Sequence, residues 1–158
     1  FIEPTQQIRS FGVKLKHNIN KSLIKDKSLV LIDDSLVRGT TSIKIIKMLY
    51  EAGAKEIHLR IASPPIKYPD YYGVDTPNQN ELLAAKFDLE GMRKFINSTS
   101  LQFLSIEGLY KSMGYEKRNS SYPQFADHCF TGDYPVKPVD ANDKNFTENQ
   151  LSFMSSKS

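Results

Sequence analysis

Leu29-Val-Leu-Ile-Asp-Asp-Ser-Leu-Val-Arg-Gly-Thr-Thr-Ser42 is the stretch on which the reading of this 158-residue chain turns. Four consecutive apolar residues, Leu29, Val30, Leu31 and Ile32, read as a strand covered on both faces, as in parallel sheets flanked by helices. Asp33 and Asp34 close that strand, and ligands of open α/β sheets sit just outside the carboxyl ends of strands. Gly39 then lets the backbone approach a ligand closely, and Thr40, Thr41 and Ser42 offer hydroxyls and N–H groups where the next helix begins. Taken singly, an Asp-Asp pair is a solvated turn and Gly-Thr-Thr-Ser is a helix cap. In sequence, with Leu36, Val37 and Arg38 between them, they make a polar loop denser than capping requires, and its layout suits a sugar phosphate.

Outward from this loop, Ile45, Ile46, Leu49 and Ala52 recur at helical spacing, and Gly53 supplies a stop. Ile57, Leu59 and Ile61 alternate with His58 and Arg60, a strand ended by Ser63-Pro64-Pro65. Strand, loop, helix and strand form a βαβ unit. The fold class is therefore α/β, a parallel sheet with flanking helices, followed by a C-terminal helical extension. Before the unit, residues 1–27 are polar and basic: Ile8, Phe11 and Leu15 suggest a loop entering a short helix, and Asn18 to Lys27 a turn. Beyond Pro65, Tyr68 to Pro77 is aromatic and turn-rich, while Gln79 to Ala85 and Leu89 to Ile96 read as helices, the second capped by Asp88. Leu101 to Leu104 reads as a short strand, and Ser105 to Met113 as a helix closed by Gly114. The chain is mostly polar from Tyr115, and its last dozen residues are expected to fray.

Composition narrows the function classes. A hydrophobic fraction of 39% with 25% charge is that of an ordinary globular domain. The net charge of +3 is too small to argue for nucleic acid, and its excess of Lys and Arg lies in residues 1–60, around the proposed anion site. One cysteine, Cys129, excludes an internal disulfide framework and suits a reducing compartment. No apolar run reaches the length needed to span a bilayer. His17, His58 and His128 show no metal-ligand spacing and read as structural or exposed.

The Asp33 to Ser42 stretch resembles the phosphoribosyl pyrophosphate (PRPP) loop of the type I phosphoribosyltransferases. A finer resemblance, to the glutamine PRPP amidotransferase family (amidophosphoribosyltransferases), rests on Phe1-Ile-Glu-Pro-Thr-Gln-Gln-Ile-Arg9, Val37 to Ser42, Arg60 to Pro65, Tyr72-Gly-Val-Asp-Thr-Pro77, Glu81 to Ala85, Ser105 to Leu109 and Phe130-Thr-Gly-Asp-Tyr-Pro135. That resemblance implies a C-terminal fragment of the transferase part: residues 1–65 its second half with the PRPP loop, 66–145 a family-specific extension, and 146–158 a flexible tail. It implies formation of 5-phosphoribosylamine, pyrophosphate and glutamate from PRPP, glutamine and water, the first step of purine synthesis. The glutaminase domain and the first half of the transferase domain are absent, so the fragment alone is expected to be inactive.

For the site, the resemblance implies PRPP contacts from Asp33, Asp34, Ser35, Arg38, Gly39, Thr40, Thr41 and Ser42. Asp33 and Asp34 would accept the ribose hydroxyls, help hold Mg²⁺ and stabilise the positive charge that builds on the ribose. Arg9 would belong to a loop closing over the substrate, and Arg38 either pairs with Asp33 or Asp34 or lies near phosphate. The implied partners are PRPP and ammonia channelled from a glutaminase domain, in a cytoplasmic homo-oligomer without nucleic acid or membrane. Some members of the family hold a [4Fe–4S] cluster through cysteines, but the matching positions here offer Asp70 and, in Ala126-Asp-His-Cys129, only one thiol. A cluster needs four soft ligands, so none is expected. Two other readings share the loop: a non-catalytic PRPP-sensing regulator, which the lack of a basic stripe disfavours, and salvage transfer to a base, which the stretch after Pro65 disfavours.

Overall fold

β1 (Ser28–Asp33) and β2 (Glu56–Ile61) lie side by side and parallel in the computed structural model, which describes residues 20–73 and 78–136. Helix α2 (Thr40–Glu51) makes the crossover between them. The helix stops where Gly53 takes φ +95°, its N–H donating to the Tyr50 carbonyl, with the Lys25 side chain too close to admit a Cβ comfortably. β3 (Ser100–Phe103) adds parallel to β2, giving the strand order β1-β2-β3. This third strand lies beyond Pro65, so the sheet draws on both the βαβ unit and the stretch that follows it.

Strand periodicity sorts the side chains. Leu29 pairs with Ile57, Leu31 with Leu59, and Leu59 in turn with Leu101, so these residues share one face of the sheet. On that face lie Ile46 and Leu49 of α2 and Met92 and Ile96 of α4 (Leu89–Ile96), which with Leu36, Leu83 and Ala84 complete the core. Asp88 starts α4 by accepting the Gly91 N–H at 2.7 Å, and Asn97 ends it in the left-handed region at φ 59°. Ser105 caps α5 (Ile106–Ser112) in the same manner, accepting the Gly108 N–H at 3.0 Å. A last short helix, α6 (His128–Thr131), ends at Gly132.

Three expectations are corrected. The strand read as covered on both faces is half open: Val30 and Ile32 are 64% and 72% exposed. Among the described residues β1 stands at the edge of the sheet, and the helices of the core pack on the Leu29–Leu31 side, so its apolar run is half-buried at alternate positions and exposed between them. The opposite face continues as a polar row, in which Ser100 Oγ meets His58 Nδ1 at 2.9 Å and accepts from Arg60 at 3.0 Å. Second, Gln79 to Ala85 is not one helix. A 3-10 turn (Gln79–Glu81) is broken at Leu82, which is extended, before α3 (Leu83–Lys86). Leu82, Leu83 and Ala84 are all buried, and three successive buried side chains cannot lie on one stripe of a continuous surface helix. Third, Asn18 to Lys27 contains a helical turn, α1 (Lys21–Ile24), capped by Asn20. The helix expected from Ile8, Phe11 and Leu15, Arg9 with its closing loop, and the terminal residues expected to fray lie outside the described residues.

Candidate functional site

The loop from Asp33 to Gly39 joins the carboxyl end of β1 to the first turn of α2. Asp33 is half-buried and its carboxylate accepts the Asp34 N–H at 3.0 Å, while its own carbonyl accepts the Ala62 N–H at 2.9 Å. Asp34 is exposed and accepts the Ser35 hydroxyl at 3.1 Å. Leu36, 2% exposed, plugs the loop into the core, and the Val37 carbonyl accepts the Leu83 N–H at 2.8 Å, so α3 braces the turn from outside. Gly39 caps α2 with φ 78°, a conformation that favours glycine, and a Cβ there would lie 3.1 Å from Leu83 Cδ2.

No side chain caps the amino terminus of α2. Its first turn carries Thr40 exposed, Thr41 half-buried and Ser42 buried. The unpaired N–H groups of that turn and the helix dipole favour an anion, and the carboxylates sit one loop away at the end of β1. The eight residues from Asp33 to Ser42 assigned to PRPP thus come from one loop and one helix start, braced by α3. Arg38 pairs with neither carboxylate: its Nε donates to Glu81 at 2.7 Å, with both side chains about half exposed. Glu81 was not singled out in the sequence, since it stands 43 residues from Arg38 and no local pattern connects them.

A second polar cluster lies in the stretch beyond Pro65. The Asp70 carboxylate meets His128 Nε2 at 2.6 Å and accepts from Cys129 Sγ at 3.7 Å, while its other oxygen accepts the Tyr72 N–H at 2.7 Å. Burial, and then the Asp70 charge, push the Cys129 thiol up to about 11; burial raises the Tyr134 phenol to about 12. The donors at this place are a carboxylate, an imidazole and a single thiol, and the chain has one cysteine in all, so the residues present do not fit a [4Fe–4S] cluster. Beside it, buried Asp127 accepts from Tyr110 at 2.8 Å and from two guanidinium nitrogens of Arg118 at 2.5 and 3.0 Å, and Arg118 also reaches Asp133 at 2.6 Å. Burial works to raise the Asp127 carboxyl, but the Arg118 and Tyr110 hydrogen bonds outweigh it and hold the group below the usual carboxylate range.

Comparison with known proteins bears on the PRPP-loop reading. The chain is 57% identical over 157 residues, 99% of its length, to the amidophosphoribosyltransferase of Rhizobium etli. It is 53% identical over 140 residues to the chloroplastic amidophosphoribosyltransferase 2 of Arabidopsis thaliana, and 44% identical over 137 residues to the enzyme of Bacillus subtilis. It covers 32%, 24% and 29% of those proteins, so the chain spans about a third of the length of the curated relatives it matches, or less. Among solved structures, the glutamine PRPP amidotransferase from B. subtilis complexed with ADP and GMP superposes with a TM-score of 0.67 at 40% identity, over 87% of this chain and 30% of that one. No protein-family model matches the chain. With identities of this size along nearly its whole length and the same sheet beneath them, the chain is similar to one part of the amidophosphoribosyltransferases.

Proposed function

We propose that this chain supplies the PRPP loop of an amidophosphoribosyltransferase, which forms 5-phosphoribosylamine, pyrophosphate and glutamate from PRPP, glutamine and water. The observation that carries the reading is the juxtaposition of two carboxylates at the end of β1 with the uncapped amino terminus of a twelve-residue helix, held by a left-handed glycine. Thr40 and Thr41 contribute hydroxyls and N–H groups to the 5′-phosphate. Ser42, whose side chain is buried, contributes through its N–H. Asp33 and Asp34 accept the ribose 2′- and 3′-hydroxyls and stabilise the positive charge that develops on the ribose as pyrophosphate leaves. Ser35 orients Asp34 through its hydroxyl, and Arg38, held by Glu81, adds positive charge at the loop's rim.

Two adjacent carboxylates are hard oxygen donors, and Mg²⁺ is the ion that suits them; when bound with the pyrophosphate it would act as a Lewis acid on the leaving group. Arg9 is assigned to the closing loop that excludes water, so that ammonia delivered from a glutaminase domain attacks C1. On this reading residues 1–65 complete the transferase half-domain, 66–145 form the extension that braces it, and 146–158 are a tail. The assembly is a homo-oligomer acting in the cytoplasm, without nucleic acid or membrane. No helix among the described residues is long and apolar enough to cross a bilayer.

The test is Mg²⁺-dependent pyrophosphate release from PRPP, with ammonia as donor, by the full-length enzyme and its Asp33→Asn/Asp34→Asn variant. Release that collapses in the variant supports the assignment. Normal turnover by the variant sinks the roles given to both carboxylates, and PRPP binding without release by a folded parent points to a regulator.

A further inference from the structure

Asp70 and Cys129 are 59 residues apart in sequence, yet the structure brings them together with His128 so that three different ligand atoms converge. Asp70 Oδ2, His128 Nε2 and Cys129 Sγ all lie within 4.8 Å of one another. Two separate segments are tied to make this happen: the Lys67 and Tyr68 N–H groups both donate to the Cys129 carbonyl, at 2.9 and 3.1 Å. The ligand atoms are also oriented. Asp70 uses Oδ1 on the Tyr72 N–H, which turns Oδ2 toward the histidine and cysteine. The His128 ring is held between Tyr72, edge-on at 5.0 Å, and Tyr134 at 5.1 Å. Its side chain is 4% exposed, and Nδ1 has no hydrogen-bond partner.

We propose that Asp70 Oδ2, His128 Nε2 and Cys129 Sγ form a mononuclear site for a divalent, borderline-soft transition ion of the Zn²⁺ kind, separate from the PRPP loop. The donor set selects the class of ion: nitrogen and sulfur beside one carboxylate suit zinc, whereas Mg²⁺ prefers oxygen alone. Tetrahedral coordination at ordinary zinc distances sets ligand atoms roughly 3.3 to 3.6 Å apart. The sulfur–oxygen separation of 3.7 Å lies about 0.1 Å beyond that range, and the Nε2–Oδ2 separation of 2.6 Å has to open by about 0.7 Å. Charge favours the exchange as well. A thiolate, a carboxylate and a neutral imidazole around a dication form an uncharged buried set, so no charge is left unpaired away from water. Binding releases the Cys129 thiol proton, and the imidazole coordinates in its Nδ1–H form. Three protein ligands leave the fourth position to water.

Cobalt(II), which takes zinc's geometry and is coloured, is the probe. Titrated into the full-length enzyme, it should give one equivalent of a thiolate-to-cobalt charge-transfer band that Zn²⁺ displaces. Cys129→Ser should abolish the band, and Asp70→Asn should weaken binding by more than about tenfold, since losing even an outer contact costs that much. Asp33→Asn/Asp34→Asn should leave the band intact, because oxygen ligands at the PRPP loop cannot produce it. The Cys129→Ser change keeps the Asp70–His128 pair, so its fold is checked by an unchanged melt without metal. Absence of the band in folded parent protein, or its persistence in Cys129→Ser, overturns the proposal.

Discussion

Replacing Gly39 with alanine tests the loop's conformation and its packing together. At φ 78° an L-residue is strained by about 1–2 kcal/mol. The new Cβ also meets Leu83 Cδ2 at 3.1 Å, Ile96 Cγ2 at 3.4 Å and Phe95 Cε1 at 3.5 Å. Leu83 is 2% exposed and its N–H is held by the Val37 carbonyl, so it has little room to yield, and overpacking of this kind costs about 1–3 kcal/mol. The smaller conformational freedom of unfolded alanine returns about 0.4–1 kcal/mol. The net destabilisation of Gly39→Ala is therefore about 1–4.5 kcal/mol, read as a shift in the urea midpoint of the full-length enzyme at unchanged slope. Repeating the change in a Leu83→Ala background removes the nearest clash, and the cost should fall to the backbone strain less the unfolded-state term, about 0–1.6 kcal/mol. A Gly39→Ala protein with the parent's midpoint would refute the left-handed cap. An unchanged cost in the Leu83→Ala background would refute the steric part. On the proposed assignment of the loop to PRPP, affinity for PRPP should fall in Gly39→Ala beyond what stability explains, because the same glycine sets the course of the chain into the first turn of α2.

The remaining predictions concern the Arg118 network and the two faces of the sheet. Asp127 has a lowered pKa, so its stabilising effect is complete above the ordinary carboxylate pKa of about 4 and is lost as pH falls through the lower folded value; Asp127→Asn should remove that part of the acid limb in a stability–pH curve and cost about 3 kcal/mol at neutral pH. Tyr110, raised by burial and by Asp127, contributes in the opposite direction: its effect holds below about 10 and is lost as pH rises through the higher folded value, a limb that Tyr110→Phe should flatten. In urea melts of this chain by itself, Val30→Thr and Ile32→Thr should each change stability by no more than about 0.5 kcal/mol, whereas Leu59→Ala, at a fully buried position one strand away, should cost about 2–5 kcal/mol.

What could be read without coordinates was what the chain encodes locally. The period of β2, the Asp88 cap and the glycine stop after α2 each depend on a few neighbouring residues, and each appears where the pattern placed it. The order of acids, glycine and hydroxyls is equally local, and the structure places it in one loop and the first turn of α2. Contacts between distant segments were not legible. Arg38 offered two nearby carboxylates and took Glu81 instead, because the break at Leu82 brings the 3-10 turn over the loop. His128 had no ligand spacing along the chain, and its partner Asp70 lies 58 residues away. The apolar run of β1 misled for a related reason. A strand's own residues report that they are apolar, but whether both faces are covered depends on which helices the rest of the chain lays against it.

The register of the sheet decides which way the Asp33 carboxylate points. Side chains alternate along β1, and its pairing with β2 sets Leu29 beside Ile57, Leu31 beside Leu59 and Asp33 beside Ile61. Asp33 therefore shares the face on which α2 packs, the same side as the helix whose amino terminus is to receive the phosphate. A slip of β1 by one residue would turn Val30 and Ile32 into the core and Asp33 to the far side, away from α2. Hydrophobic burial opposes that slip only weakly, because Val30 and Ile32 are as apolar as Leu29 and Leu31. The hydrogen bond from Ala62 N–H to the Asp33 carbonyl, and the Leu36 side chain anchored in the core, hold the end of the strand in place. Leu36→Ala should therefore impair PRPP turnover more than its loss of stability accounts for, as a fall in kcat/KM measured well below the unfolding midpoint. A fall no larger than that of an equally destabilising change at Ile57, at the amino end of β2 and so at the other end of the sheet from the loop, would show that Leu36 contributes packing alone.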